Sequence, residues 1–335
     1  DLLLSKRKKG VMGMAKHQLL NKYKYQLNET VERRSVGLER EYQRRINDEA
    51  TVVTNLYPKL FNQSELGGSA DPLFMVMTQQ IKQLRAEIAQ NSLQLTTLKQ
   101  ALSDDERSHL VKRLVVDEII HTNAIEDVSV DATALEAVVN NPVKRVTARL
   151  SGSARRYLAV SNRVPLEITK LLDFRVIYDD LLENEIGNAD LPDGRLFRDR
   201  EVRIGTSFKT THEPPKTEIE INEVLVAVIS FRNTLSVDPV FKAIITHFMF
   251  ENTHPFNDGN GRFGRYLLAS DLAQSLDELT GLSISTEISK NVRKYYKAFR
   301  ETSRPSNRAE ATLFVQDMLA IIIAAQQRMI AYLSN

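Results

Sequence analysis

Apolar residues recur at helical spacing through most of the chain. Steps of three and four predict a buried helix that ends near Asn252, with its apolar face at Val240, Ile244, Ile245 and Phe248. The same spacing resumes after a short polar stretch, at Tyr266, Leu267, Leu268 and Leu272. Residues 130–187 and the chain beyond residue 265 show comparable patterns. The sequence therefore predicts an all-α domain in which one loop joins two buried helices.

One stretch alternates between polar and apolar residues in the manner of a strand. Residues 201–205 show this alternation, and the following segment contains Pro214 and Pro215. A small β-hairpin is predicted here, in front of the two buried helices. His212 lies beside it and is expected at the surface.

A heptad pattern runs between residues 71 and 102. Its apolar positions are Phe74, Met77, Ile81, Leu84, Ile88, Leu95, Leu98 and Leu102, with one polar position at Asn91. A long helix over residues 71–102 is predicted. It forms either a dimerising coiled coil or a helix packed on the helical domain that follows, and the pattern does not separate these alternatives.

Residues 1–70 are predicted to form a polar, helical extension. Basic clusters at residues 6–9, 33–34 and 44–45 are interleaved with tyrosines, as in some nucleic-acid-binding arms. Acidic residues dilute these clusters, so a solvated helical face is the preferred interpretation. Two glycines and a proline at residues 63–72 predict a linker.

The composition excludes several kinds of chemistry. The 335 residues contain no cysteine, which excludes disulfides, thiol nucleophiles and thiolate zinc sites. The formal net charge of +2 gives no reason to expect nucleic-acid binding. The longest apolar run, residues 318–325, is too short to cross a bilayer, and leucines at residues 2–4 precede the basic cluster, the reverse of a signal peptide. A cytoplasmic protein with no membrane partner is expected.

The loop between the two buried helices carries an unusual concentration of reactive side chains. Residues 254–265 have the sequence His-Pro-Phe-Asn-Asp-Gly-Asn-Gly-Arg-Phe-Gly-Arg. Pro255 cannot continue a helix, and residues 258–261 are a strong turn signal. The next helix therefore begins at the end of this loop. Its free N–H groups and the positive end of its dipole predict an anion site.

The side chains of this loop suit a polyphosphate. Arg262 and Arg265 are three residues apart and can reach the same anion. Asp258 is a hard oxygen ligand, suited to a magnesium ion that is shared with phosphates. His254 can take up a proton near neutral pH.

The complete string His-Pro-Phe-x-Asp-Gly-Asn-Gly-Arg-x-x-Arg resembles the signature of the Fic (filamentation induced by cyclic AMP) family at every specified position. The resemblance implies a Fic-type helical bundle over residues 103–335 and transfer of AMP from ATP to a Ser, Thr or Tyr hydroxyl of a target protein. It implies that His254 is the general base, that Asp258 binds Mg²⁺ and that Phe256 anchors the loop in the core. The implied anion cradle and phosphate ligands are Gly259, Asn260, Gly261, Arg262 and Arg265. Gly261 argues against the branch of the family that has Lys there and transfers phosphate.

A second motif lies upstream, in a helix predicted at about residues 107–127. Thr122 and Glu126 fit the family's inhibitory pattern Ser/Thr-x-x-x-Glu-Gly/Asn, except that Asp127 stands where Gly or Asn is usual. The resemblance implies a bidentate pair between Glu126 and Arg265, which would occupy the arginine that holds the γ-phosphate. The departure at Asp127 makes the end of this helix less certain.

The predicted hairpin resembles the family's flap. The resemblance implies that exposed backbone at Val202, Arg203, Ile204 and Gly205 pairs with an extended segment of the target. A plain connecting hairpin is the alternative.

Several functions stay open. The same Glu126 is also compatible with removal of AMP from a modified target, or the site carries out another nucleotidyl or phosphoryl transfer. A third alternative is a non-catalytic helical scaffold. ATP as substrate, Mg²⁺ and an unidentified target protein are the expected ligands and partner, while self-modification and a homodimer stay open.

Overall fold

The computed structural model describes residues 17–24, 31–61, 71–142, 148–206 and 209–335, and within these ranges the fold is mainly helical. Its α-helices are α1 (Val31–Ile46), α2 (Gln79–Gln100), α3 (Asp104–Ile125), α4 (Ala132–Asn140), α5 (Ser151–Ser161), α6 (Leu171–Leu181), α7 (Glu218–Arg232), α8 (Pro239–Thr253), α9 (Asn260–Ser275), α10 (Glu278–Gly281), α11 (Ile284–Lys290), α12 (Val292–Thr302) and α13 (Thr312–Leu333). Its strands form two antiparallel pairs, β1 (Thr51–Val53) with β2 (Phe74–Val76) and β3 (Ile204–Thr206) with β4 (Lys209–His212). The predicted all-α class with a small hairpin is confirmed, and the β1–β2 pair was not predicted.

Helices α8 and α9 form the centre of the core. Asp238 caps α8, since its carboxylate accepts a hydrogen bond from the Val240 N–H at 2.9 Å, and Pro239 occupies the first helical position. The two helices pack against each other. The apolar positions from which they were predicted are all buried: Val240, Ile244, Ile245, Phe248, Tyr266, Leu267, Leu268 and Leu272. This pair positions the loop of residues 254–259.

The long helix begins later than its heptad pattern predicted. Phe74 lies in strand β2, where its N–H donates to the Ala309 carbonyl at 3.3 Å and its carbonyl accepts from the Ala311 N–H at 2.8 Å. Thr78 then caps α2, which begins at Gln79. The prediction of helix from residue 71 was wrong at its start, because pairing with a distant segment outweighed the local spacing.

The heptad seam of α2 is covered by a helix of the same chain. Ile81, Ile88 and Leu95, which lie at seven-residue intervals, are fully buried. Helix α2 packs along α13, and the Gln326 side chain donates to the Ile88 carbonyl at 3.2 Å. Of the two alternatives for this helix, packing on the rest of the same chain is the one observed.

Helix α13 is longer than the apolar run of residues 318–325. Its 22 residues make it long and apolar enough to cross a membrane on length and composition alone, although 56% of its most apolar window is buried inside the protein. The apolar side chains that α2 and its neighbours cover include Phe314, Met318, Ile322 and Met329. Packing in the protein core accounts for this composition.

The N-terminal extension is attached to the C-terminal half of the chain. Arg45 is 2% exposed and pairs with Glu310 at 2.6 Å, and the Arg308 guanidinium lies 4.0 Å from the centre of the Tyr42 ring. The solvated face predicted for this region is therefore wrong for Arg45. The basic cluster at residues 6–9, the side chains of residues 33 and 34, and most of the linker predicted at 63–72 lie outside the described residues.

Candidate active site

The candidate site lies at the corner between α8 and α9. Helix α8 ends at His254, which has a left-handed backbone with φ of 49°. Gly259 precedes the first residue of α9 with φ of 79°, and a Cβ at this position would lie 2.3 Å from the Leu182 side chain. Both the backbone angle and the close packing require glycine. The first N–H groups of α9 lack intrahelical acceptors, so they are available to an anion at the end of this loop.

Two side chains hold the loop in the core. Phe256 is fully buried and stacks on Tyr178 with the ring centres 3.7 Å apart. The Asn260 side chain makes two hydrogen bonds with the Phe256 backbone. Its Oδ1 accepts from the Phe256 N–H at 2.9 Å, and its Nδ2 donates to the Phe256 carbonyl at 2.7 Å. The Asn260 side chain thus shapes the cradle from below, and only backbone groups line it at this position.

Asp258 and Arg262 belong to one chain of charged contacts. The Asp258 side chain is 54% exposed, and its Oδ2 lies 3.3 Å from Arg262 Nη2. Arg262 Nη1 lies 3.3 Å from Glu185 Oε2, and both of these side chains are almost fully buried. Asp258 therefore faces solvent, where it can bind a cation. Arg262 is fixed between two carboxylates.

Arg265 is fully enclosed beneath the cradle and contacts α3. Its Nε donates to Thr122 Oγ1 at 2.8 Å, and its Nη2 donates to the Thr122 carbonyl at 2.9 Å. Its Nη2 also lies 2.7 Å from Glu126 Oε1. The structure therefore brings together Thr122, Glu126 and Arg265. The ion pair uses one carboxylate oxygen rather than the predicted two, and Thr122 accepts hydrogen bonds from Nε and Nη2 of the same guanidinium.

The Glu126 carboxylate lies over the second glycine of the loop. A Cβ built on Gly261 would meet Glu126 Oε1 at 2.0 Å. Burial opposes the charge of Arg265, but the neighbouring Glu126 outweighs it and raises the Arg265 pKa. Burial raises the pKa of nearby Glu251 to about 8, so Glu251 is mostly uncharged at neutral pH. A carboxylate thus occupies the space above the cradle.

Helix α3 ends cleanly at Glu126 despite the unusual Asp127. Asp127 has φ of 56°, the left-handed conformation in which Gly or Asn is favoured. The Asp127 N–H donates to the Ala124 carbonyl at 3.2 Å and the Val128 N–H donates to the Asn123 carbonyl at 3.0 Å, which is the Schellman pattern. Asp127 therefore takes the place that Gly or Asn has in the inhibitory pattern.

His254 is held as a neutral imidazole. Burial lowers its pKa to about 3, and the positive charges of Arg198 and His212 act in the same direction. The ring is therefore unprotonated at neutral pH. A neutral imidazole can accept a proton, as a general base must.

The predicted flap is present in part. Ile204 and Gly205 lie in β3, whereas Val202 and Arg203 precede it, and residues 207–208 at its tip lie outside the described residues. His212 is half-buried rather than at the surface, and its Nε2 donates to the Asn252 carbonyl at 2.6 Å. This bond ties the end of the flap to α8, so the expectation for His212 was wrong.

The residues around the cradle could hold Mg²⁺ only together with the phosphates of a bound substrate. Among the described residues, no group of three or more His, Asp or Glu side chains is placed to hold a metal ion. Asp258 alone offers an exposed carboxylate at the mouth of the cradle. Mg²⁺ commonly uses one or two carboxylates plus substrate phosphates, which this donor set permits.

Sequence reasoning missed two buried residues that support the site. Glu118 accepts the Ser285 N–H on both carboxylate oxygens at 2.9 Å. It lies one helical turn before Thr122 and two before Glu126, so the four-residue spacing was visible in the sequence. Arg198 donates to the His254 carbonyl at 2.7 Å, and no local pattern distinguished it from the neighbouring arginines.

Fold and site together define a helical protein in which a glycine-containing loop joins two core helices and begins with a buried histidine. Residues 169–270 match the Fic/DOC family. This match spans less than a third of the chain, and over those residues the chain is similar to the family. It is also similar to a Fic family protein of known structure from Desulfovibrio desulfuricans G20, with a TM-score of 0.60 and 20% identity over 76% of this chain and 75% of that one. This likeness concerns the fold alone.

Two curated relatives are similar over shorter segments. The protein adenylyltransferase fic-1 of Caenorhabditis elegans is 36% identical over 93 residues, which is 27% of this chain and 18% of the nematode protein. The "Probable protein adenylyltransferase" of Aquifex aeolicus (strain VF5) is 36% identical over 121 residues, which is 36% of this chain and 34% of that protein. The chain thus covers at most about a third of the length of either relative.

Proposed function

We propose that this protein is a magnesium-dependent protein adenylyltransferase, and that Glu126 holds it in an inactive form. One observation carries the proposal. A carboxylate from α3 lies in an anion cradle, paired with a buried arginine and next to a neutral histidine. Two relatives that are similar over part of the chain are named as adenylyltransferases, which supports the same reaction class.

The transfer requires a base and an electrophilic phosphorus in line. The oxygen of a Ser, Thr or Tyr hydroxyl attacks the α-phosphorus of ATP, and the bond between that phosphorus and the pyrophosphate oxygen breaks. His254 takes the hydroxyl proton, which its neutral ring can do throughout the physiological pH range. The products are the AMP-modified target and pyrophosphate.

The remaining groups neutralise and hold the triphosphate. The N-terminus of α9 offers backbone N–H groups, and Arg265 offers a fixed positive charge. Asp258 would hold Mg²⁺ together with the phosphates, and the ion would neutralise charge on them. Arg262 is committed to Glu185 and Asp258, so its part is to orient Asp258 rather than to grip phosphate on its own.

Glu126 opposes this arrangement because it competes with the substrate for the same partner. A γ-phosphate that reached Arg265 would have to displace a carboxylate at 2.7 Å and would be repelled by its charge. Removal of the carboxylate leaves the cradle and Arg265 intact. The inhibition is therefore expected to require this side chain.

The test is labelling with ATP that carries ³²P at the α-position, followed by mass spectrometry of the protein. Glu126→Gly is expected to raise incorporation of label at least about tenfold, with the mass of one AMP on a Ser, Thr or Tyr side chain, either of this protein or of an added target. Glu126→Gly combined with His254→Ala is expected to abolish it. Asp117→Gly, in the same helix but away from the cradle, is the matched control and is expected to stay at the low level of the unmodified protein.

Two results would count against this function. Equal labelling of the Glu126→Gly protein with and without His254 would remove the histidine from the reaction. A covalent mass that corresponds to phosphate rather than AMP would assign the site to phosphoryl transfer instead.

A further inference from the structure

Arg198 connects three segments around the candidate base. Its side chain is fully buried in the loop between α6 and β3. The guanidinium donates to the His254 carbonyl at 2.7 Å, to the Arg200 carbonyl at 2.9 Å and to the Pro215 carbonyl at 2.6 Å. The backbone N–H of Arg198 donates to the Pro255 carbonyl at 3.0 Å. Arg200 precedes the flap and Pro215 follows it, so one side chain joins both ends of the flap to the loop that carries His254.

This guanidinium has no carboxylate partner. Within the described part of the chain, no Asp or Glu oxygen lies within 4.0 Å of it, although most buried arginines are paired. Burial lowers the pKa of Arg198 to about 10, which leaves it charged at neutral pH. Its partners at the end of α8 are carbonyls at the negative end of a helix dipole, which explains how a cation is tolerated here.

The backbone at His254 needs such support. A residue other than glycine in the left-handed region is strained, and this strain persists only where surrounding contacts impose it. The Arg198 bond to the carbonyl of His254 itself is such a contact. The Thr253 carbonyl, at 3.4 Å from Nη2, adds a weaker one.

We propose that Arg198 is a positioning residue: it fixes the turn at His254 and both ends of the flap in one arrangement. Its charge beside His254 adds to the effect of burial, which disfavours a protonated ring most strongly. The first part follows from four hydrogen bonds and applies whatever the protein transfers. The link to target docking, through the flap, rests on the proposed function.

The surroundings of His254 support the electrostatic part. Arg198 from the preceding loop and His212 from the flap both disfavour a positive charge on the ring, and burial acts most strongly in the same direction. On α8, the Glu251 backbone opposes this by a hydrogen bond to the ring. Removal of the Arg198 charge should therefore raise the His254 pKa, whereas a lysine at this position should keep it low.

The experiment compares Arg198→Met, Arg198→Lys and the unmodified protein by two measurements that need no catalytic turnover. NMR titration of protein with labelled histidines gives the His254 pKa, assigned by loss of its signal in His254→Ala. Hydrogen exchange of the amides of β4, Glu213 and Lys216 reports on the flap. Arg200→Met is the matched control, because Arg200 is a half-exposed arginine of the same loop whose backbone carbonyl, the acceptor for Arg198, is unchanged.

The expected results separate geometry from charge. Arg198→Met should raise the His254 pKa and accelerate flap exchange about three- to tenfold, as the loss of one or two hydrogen bonds allows. Arg198→Lys should keep the low pKa but accelerate exchange, because an ammonium lacks the planar fork of donors. Arg200→Met should change neither quantity.

Three results would overturn the proposal. The first is that Arg198→Met has the same His254 pKa and the same rate of flap exchange as the unmodified protein. The second is that the His254 pKa of Arg198→Lys is as high as that of Arg198→Met. If neither variant folds, the Nε–H of Arg198 in the unmodified protein decides. Exchange as fast as that of the exposed Arg195 in the same loop would exclude the bonds described above. If Glu126→Gly fails to transfer AMP but these measurements give the expected results, the proposed function fails while the role of Arg198 stands.

Discussion

Glu126 Oε1 lies 2.7 Å from Arg265 Nη2, and the same arginine is held more extensively by Thr122 than by Glu126. Arg265 is 1% exposed, whereas Glu126 is 32% exposed. The carboxylate is therefore the more mobile and accessible partner of this pair. The threonine fixes the arginine that the glutamate neutralises.

The contact between Thr122 and Arg265 predicts a partial release of inhibition. Thr122→Val removes the Oγ1 acceptor and keeps the shape and the backbone carbonyl. Arg265 then loses one hydrogen bond, worth about 1 kcal/mol, and its pairing with Glu126 is less well oriented. AMP incorporation is expected to lie between that of the unmodified protein and that of Glu126→Gly. A Thr122→Val rate equal to the unmodified rate would show that Glu126 alone maintains the inactive form.

The close approach of Glu126 to Gly261 predicts a coupling in stability. A Cβ at residue 261 would overlap with the Glu126 carboxylate, so Gly261→Ala must displace that side chain and weaken its ion pair. The substitution is expected to lower the free energy of unfolding by about 1–2 kcal/mol in the unmodified protein and by less in the Glu126→Gly protein. Urea denaturation of the four proteins of this cycle measures the coupling. If Gly261→Ala lowers the free energy of unfolding equally with and without Glu126, the carboxylate does not lie next to residue 261.

The left-handed conformation of Asp127 predicts that glycine is better tolerated there. Asp127→Gly is expected to raise the free energy of unfolding by up to about 1 kcal/mol, because glycine adopts positive φ without strain. Asp117→Gly makes the same replacement inside α3, where φ is helical, and is expected to lower it. The midpoints of urea denaturation test both changes, provided that the dependence of the unfolding free energy on urea concentration is the same for each protein. A loss of stability in Asp127→Gly would contradict the geometry of this helix end.

Glu118 predicts a pH dependence of stability. Burial raises its pKa from 4.5 to about 7, against the opposing hydrogen bonds from Ser285. Because the folded protein holds this proton more tightly than the unfolded chain, the contribution to stability is complete below about pH 4.5 and is lost as pH rises through 7. The shift corresponds to about 3 kcal/mol.

Glu118→Gln removes this titration while keeping an acceptor for the Ser285 N–H. The free energy of unfolding of the unmodified protein, measured relative to that of the variant, is expected to fall between pH 5 and pH 8. Glu136→Gln, on the exposed surface of α4, serves as the control and is expected to give a flat difference. A difference that rises with pH would mean that Glu118 is held as the carboxylate.

Much of the fold and loop could be predicted from sequence because the signals are local. Helical spacing located the buried faces of α8 and α9, and the turn residues between them predicted where α9 begins. The inhibitory pattern placed Thr122 and Glu126 at a helix end. Phe74 shows the limit of such signals, because its position in a heptad pattern predicted helix, whereas hydrogen bonds to the segment at Ala309 and Ala311 place it in a strand.

The sequence by itself determined which residue types lie in the loop, where the flanking helices stop and start, and which faces are apolar, since turn chemistry and periodicity act over a few residues. Only the tertiary structure decided which partner each charged group has. Arg265 meets Thr122 across 143 positions of sequence, and Arg198 meets His254 across 56. Such pairings depend on how α3 packs against α9 and how one loop folds under another, and that packing is a sum of many contacts that no short pattern contains.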